Sequence, residues 1–277
     1  MLKKFFVYEW KDSWKIVGGL NVAVLLLSIL GGFFYRDSFY ESMDKNSYLS
    51  VMFMLYNILY FALIIALALV TGFFFYYRFF RNLYTDEGYL MHTLPVNAHQ
   101  LIWAKTFVAL IWHLISALVM VFASGSFINN MIKNDGYTLW DVLKNAWNEL
   151  SSFLASVDLP ASTIGVVIFA VLIMIVSPFY SIFMGYLAIS LGQLTKKHKL
   201  LAAVGIYFGL TYAVQIVLSL LSPSFARFMA SMDDLSLNKI MPMMTLLLAG
   251  LFLIMAGVTA ACYFMTHMVM QKKLNLE

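Results

Sequence analysis

Residues 50–77 read SVMFMLYNILYFALIIALALVTGFFFYY, a stretch without a single Asp, Glu, Lys or Arg. A helix crossing a hydrocarbon core of about 30 Å needs about 20 apolar residues, so this one is long enough to cross a bilayer and to tilt or protrude. A second uncharged stretch begins after residue 105, and between the two lies RFFRNLYTDEGYLMHTLPVNAHQ (78–100). Two spans joined by a short aqueous loop set the plan for the whole chain.

The rest of the sequence repeats that plan. Apolar segments near 16–35, 50–77, 101–127, 163–191, 200–221 and 244–268 are each long enough to cross. The composition agrees: 62% of residues are hydrophobic and 12% are charged, where soluble domains carry about 25% charged residues. Mean hydropathy is +0.83. The expected fold is therefore an all-α integral membrane protein, a single transmembrane domain over residues 1–277 with six spans. In a soluble chain the net charge of +4 would suggest nucleic acid, but here the basic residues are sorted to one side of the membrane, so no nucleic-acid partner is expected.

Orientation follows from that sorting. With the N-terminus inside, cytosolic flanks hold Lys3, Lys4, Lys11, Lys15, Arg78, Arg81, Lys105, Lys196, Lys197, Lys199, Lys272 and Lys273. The opposite side holds Arg36, Lys45, Lys133, Lys144, Arg227 and Lys239. Twelve of the 18 basic residues thus favour both ends of the chain in the cytosol. In residues 1–15 the apolar Leu2, Phe6, Trp10 and Trp14 recur about one turn apart among lysines, which suits an amphipathic helix in the membrane interface. No small-residue cleavage site follows the first apolar run, so this segment is expected to be retained.

The outer loops carry helical patterns too. Leu139, Leu143, Trp147, Leu150 and Leu154 recur at spacings of three or four, after a Thr138–Asp141 capping pair. They predict an amphipathic helix over 139–157. Residues 224–240, with Asp233 and Asp234, look like a second and less regular one. Pro178, after Ser177, is an expected kink in the fourth span.

The 78–100 loop is the most informative element. A basic start (Arg78, Arg81) leads to Asp86, Glu87 and Gly88, then to the apolar Tyr89, Leu90, Met91 and Leu94, closed by Pro95. A short aqueous loop that shows apolar residues must lie on the membrane or dock a partner. An anionic inner leaflet would repel Asp86 and Glu87, which favours docking. The plainer alternative is an interfacial turn with its aromatics at headgroup level.

Enzymatic chemistry finds no support in the sequence. No span has an ionisable Asp, Glu, Lys or Arg in its centre, against the usual proton or ion relay. No H-E-x-x-H pattern and no glycine-rich phosphate loop is present. The lone Cys262 excludes an intramolecular disulfide, and no metal site is expected. His113 and His267 lie in different spans without carboxylate partners. Asn57, Tyr60, His113 and Gln215 are candidates to line a substrate path, with interhelical hydrogen bonding as the plainer role. Small-residue pairs at Ala256/Ala260 and Gly257/Ala261, with Gly18, Gly19, Gly31 and Gly32 around the first span, suit close helix approach within one chain or between two.

The segment YRFFRNLYTDEGYLMHTLPVNAHQLIWAK (77–105) resembles the first cytoplasmic loop of bacterial ABC-2 type export permeases, and so does SLGQLTKKHKLL (190–201) between the fourth and fifth spans. The resemblance extends over nearly the whole chain; the long outer segment at 128–162 departs from it. It implies a coupling helix carrying Asp86, Glu87, Tyr89, Leu90, Met91, Thr93, Leu94 and Pro95, on which a separate ATP-binding subunit docks. Gln193, Lys196 and Lys197 would form a smaller second contact. It further implies a second permease chain, alike or different, a bacterial cytoplasmic membrane location, and no cofactor in this chain, since ATP and Mg would be held by the partner. The rival expectation is a non-transporting scaffold or sensor that binds a cytosolic protein through the same loop. A gradient-driven secondary transporter is a third.

Overall fold

The structure, a computed structural model, describes residues 2–35, 39, 42, 46–85, 97–132, 138–156, 162–195, 197–219 and 237–272. Among these residues all regular structure is helical, and six helices are long and apolar enough to cross a membrane. The order is α1 (Leu2–Ser13), a π turn (Trp14–Gly18), α2 (Gly19–Phe34), α3 (Ser47–Tyr84), α4 (Ala98–Ile132), α5 (Leu139–Ser156), α6 (Ser162–Gly192), α7 (Lys199–Ser219) and α8 (Leu237–Lys272). The candidate spans are Phe5–Phe34, Ser47–Tyr84, Ala98–Met131, Ser162–Gly192, Lys199–Ser219 and Ile240–Gln271. Several helices overrun the apolar stretches: α3 has 38 residues, or about 57 Å at 1.5 Å per residue. Of the outer segment at 224–240, only its last residues are described, and they form the first turn of α8.

The chain divides into two compact units, Lys3–Phe75 with Phe107–Val157, and Met1–Leu2 with Tyr76–Thr106 and Asp158–Glu277. The boundary falls inside α3 and α4, so each of these helices contributes to both.

In the first unit, the buried residues of the N-terminal helix are Glu9, Ser13, Val17, Gly18, Asn21, Val24, Ser28 and Gly31, with Glu9, Ser13, Val17 and Asn21 forming one stripe. From Glu9 to Asn21 the stripe recurs every four residues. Three such steps would drift about 120° around a regular α-helix. The π turn at Trp14–Gly18 underwinds the helix there, which holds this stripe on one face. The packing partner is Trp112, whose indole stacks on Trp10 (centroids 4.8 Å) and tilts against Trp14 (5.8 Å). A Cβ at Gly18 would stand 3.2 Å from the Trp112 ring, so glycine permits this approach. Further along, Tyr60 donates its hydroxyl to the Ala123 carbonyl (2.6 Å), and Tyr56 donates to Leu27 (3.0 Å) beside Gly31. Asn21 donates to Ser116 Oγ (3.0 Å), as does Thr71 (3.1 Å), so three helices share one buried hydroxyl.

In the second unit, α6 packs against α7 and α8. Its two halves differ. Residues Ile182–Ser190 are all buried, whereas Ile164, Val167, Ile168, Val171 and Met174 are exposed. Pro178 sits between the halves, inside an unbroken helix. Gly165 lets Thr245 of α8 come close, and Thr245 donates to the Ser162 carbonyl (3.0 Å). Cys262 is buried, with its Sγ 3.8 Å from Met184 Sδ.

Candidate functional site

The coupling residues expected from sequence, Asp86, Glu87, Tyr89, Leu90, Met91, Thr93, Leu94 and Pro95, lie outside the described residues. Their two stems are described, and both belong to the second unit. On one side α3 ends at Tyr84, with Thr85 Oγ1 donating back to the Arg81 carbonyl (2.5 Å). On the other, the Asn97 carbonyl accepts from the Gln100 N–H (2.9 Å) as α4 begins.

Each stem is anchored on helices distant in sequence. Phe79, fully buried, stacks face to face on Tyr186 of α6 with centroids 3.7 Å apart. Tyr84 and Ser190 of α6 meet at 2.7 Å. Ser190 spends its single hydroxyl hydrogen on the Tyr186 carbonyl (2.8 Å), so the Tyr84 hydroxyl is the donor between them. At the other stem, His99 Nδ1 is hydrogen-bonded to the Tyr263 hydroxyl of α8. Trp103 contacts Tyr263 (5.8 Å) and Phe183 (6.0 Å). Apolar and aromatic groups thus fix both stems within one packed unit.

The α6–α7 turn, the expected second contact, starts three residues beyond Ser190. A Cβ at Gly192 would stand 2.7 Å from Ala203 Cβ and 2.8 Å from its backbone, so only glycine allows the two helices to meet this closely. The Thr195 hydroxyl donates to the Gly192 carbonyl (2.7 Å), and His198 takes a left-handed φ of 53° that reverses the chain into α7. Lys197 is exposed. Gln193 is half-buried, and its Nε2 has no hydrogen-bond partner among the described residues. Lys196 lies outside the described residues. The Tyr84–Ser190 bond joins the approach to the 86–96 segment with the approach to this turn.

Two of the flanking cations are enclosed by protein. Arg78 and Lys105 are buried, and neither is without a partner. Their charges are held in protein, and the burial of a long side chain at a span end is what snorkelling would have avoided.

The candidate path residues have structural commitments. Asn57 accepts from the Tyr35 hydroxyl (2.6 Å) and donates to Phe53 (2.9 Å). Tyr60 is engaged with Ala123 as above. His113 Nδ1 lies 2.7 Å from the Ala109 carbonyl, one turn back on its own helix. Gln215 is in the other unit and exposed. His99 carries no motif that singles it out in the sequence, yet its ring lies 6.2 Å from that of His267; both fall near span ends. Among the described residues no group of three or more His, Cys, Asp or Glu side chains is placed to hold a metal.

No protein-family model, no curated protein and no solved structure matches this chain.

Proposed function

We propose that this chain is the membrane-spanning subunit of an ATP-driven exporter of the ABC-2 type, in a bacterial cytoplasmic membrane with both ends of the chain in the cytosol. The sequence resemblance at 77–105 and 190–201 supports the reading, as does the bias of basic residues. The observation that carries it furthest is the Tyr84–Ser190 hydrogen bond at 2.7 Å. It joins the helix ends that lead into the two segments on which a cytosolic ATPase would press.

In this reading the 85–95 segment is the coupling helix and the 193–197 turn a smaller contact. Closure of the ATPase around ATP and Mg pushes on the coupling helix. The load passes through Phe79 and Tyr84 into the buried half of α6, and through His99 and Trp103 into α8 and α6. Rigid aromatic packing suits this role, since a packed interface moves as a body. Two such chains, alike or different, form the path, and alternating access moves a cargo outward. This chain performs no hydrolysis itself.

The test is co-purification from the native host in mild detergent. Tyr89→Asp with Leu90→Asp is expected to abolish recovery of an ATP-binding cassette subunit while the chain still inserts. Unchanged recovery sinks the docking assignment. If a different cytosolic protein is recovered and lost with the same substitutions, the chain is a scaffold or sensor.

A further inference from the structure

We propose that α5 is a membrane-surface helix whose tryptophan face is immersed in the headgroup region of the bilayer, held there by apolar contact and not by charge. The inference stands independently of the exporter reading. It requires only that the flanking helices α4 and α6 cross a membrane.

The first observation is an apolar face that none of the described residues covers. Trp140 is 72% exposed and Trp147 68%, and Val142, Leu143 and Leu150 are exposed beside them. At 100° per residue these side chains fall within one arc of about 160°. Lys144, Asn148, Asp141, Asn145 and Glu149 fill the opposite arc. A soluble helix with two exposed indoles on one face would be a liability.

The second observation fixes its height. The α5 N-terminus is pinned to the end of a candidate span: the Leu139 N–H donates to Asn129 Oδ1 at 2.8 Å, and the Leu139 side chain lies against Gly125. Asn129 is in the last turn of the Ala98–Met131 span. At its other end α5 is followed, after residues 157–161, by the span Ser162–Gly192. The start of α5 is therefore held at the end of a candidate span, and its 18 residues are not among the helices apolar enough to cross. Tryptophan is enriched at that depth, where its indole faces both apolar and wet surroundings.

The third observation names the kind of surface. The charged residues of α5 are Asp141, Lys144 and Glu149, a net charge of −1. Anionic headgroups give such a helix no attraction, so its binding comes from buried apolar area alone. It should be insensitive to lipid charge and to salt.

The experiment uses the full chain with Cys262→Ser, reconstituted in vesicles of phosphatidylcholine alone and of phosphatidylcholine with phosphatidylglycerol. A nitroxide is attached at Leu143→Cys or Trp147→Cys on one face and at Asn145→Cys on the other. Two positions on the apolar face keep the reading independent of any one substitution. Lipid-dissolved oxygen is expected to relax the labels at 143 and 147 several-fold more than a soluble nickel chelate does, with the order reversed at 145. The pattern is expected to be the same in both vesicles and at high salt. Equal access of the chelate to both faces overturns the proposal. So does protection of 143 and 147 from both reagents, which would mean that a second copy or another protein covers the face. Immersion that appears only with phosphatidylglycerol overturns the apolar basis.

Discussion

Ser177 donates its hydroxyl to the Met174 carbonyl at 3.2 Å, and Met174 is the residue whose carbonyl Pro178 leaves without its helical N–H donor. The proline removes a hydrogen bond inside a span, and the preceding serine supplies a replacement. That pairing explains how α6 runs unbroken through Pro178. Ser177→Ala is expected to lower stability by about 1 kcal/mol, read as an earlier unfolding midpoint in detergent. In the double variant Ser177→Ala with Pro178→Ala, the new N–H reaches Met174 and most of the loss should return. If the double variant is no better than the single one, the hydroxyl is not compensating for the proline.

Gly185 is a test of packing in the buried half of the same helix. A Cβ there would overlap the Tyr76 ring at Cε1, and the Tyr76 hydroxyl is held by the Ser181 carbonyl at 2.8 Å. The ring cannot swing away without losing that bond. Gly185→Ala is expected to cost about 1–3 kcal/mol as overpacking. Adding Tyr76→Leu should relieve part of it, a coupling that a double-mutant cycle in chemical unfolding would measure. Strict additivity would place the cost elsewhere.

The spans were legible because hydropathy is a local property, and in lipid it dictates helix almost alone. The Thr138–Asp141 capping pair was legible for the same reason, as both partners lie within one turn. The π turn was not. It answers to Trp112, more than ninety residues away in the chain, and no local pattern names that partner. The anchoring of Phe79 on Tyr186 and of His99 on Tyr263 is likewise set by tertiary packing. The candidate site was read from residue types in 86–95, whereas the geometry found near it belongs to Tyr84, Ser190, Gly192 and His198. These are ordinary residues whose role depends on which helix end they meet. Arg78 and Lys105 were read only as cytosolic flank charges, and their enclosure by protein is a tertiary feature that the local pattern does not carry.

Asp141 gives α5 a pH-sensitive start. Its carboxylate accepts from the Thr138 hydroxyl (2.6 Å) and the Thr138 N–H (3.0 Å), and Asp141 N–H donates to Thr138 Oγ1 (3.2 Å). These bonds, the hydroxyl first, hold the carboxyl below its ordinary value of 3.8. A depressed folded value means that the stabilisation is fully present above pH 3.8 and is lost as pH falls through the lower folded value. A nitroxide at Asn145→Cys should therefore grow more mobile only in that acidic window. In Asp141→Asn the mobility should be raised at neutral pH and indifferent to acid. Acid-dependent loosening that persists in Asp141→Asn would assign it to another group.

The Tyr84–Ser190 bond separates a coupling role from a merely structural one. Tyr84→Phe removes one donor and leaves Ser190 still bonded to the Tyr186 carbonyl at 2.8 Å, so stability should fall by only about 1 kcal/mol. Tyr76→Phe removes a comparable bond to Ser181 in the same unit and serves as the control. If the chain is the permease subunit proposed above, both variants should still retain the ATPase in a pull-down. If the bond carries load between the coupling segment and α6, Tyr84→Phe alone should uncouple the pair, with ATP turnover maintained and transport per ATP reduced several-fold. Because Tyr76 lies more than two turns further from the loop, its loss should leave the transport ratio intact. An equal fall in both variants would reduce the Tyr84 hydroxyl to a packing contact, and the load would have to pass through the Phe79–Tyr186 stack alone.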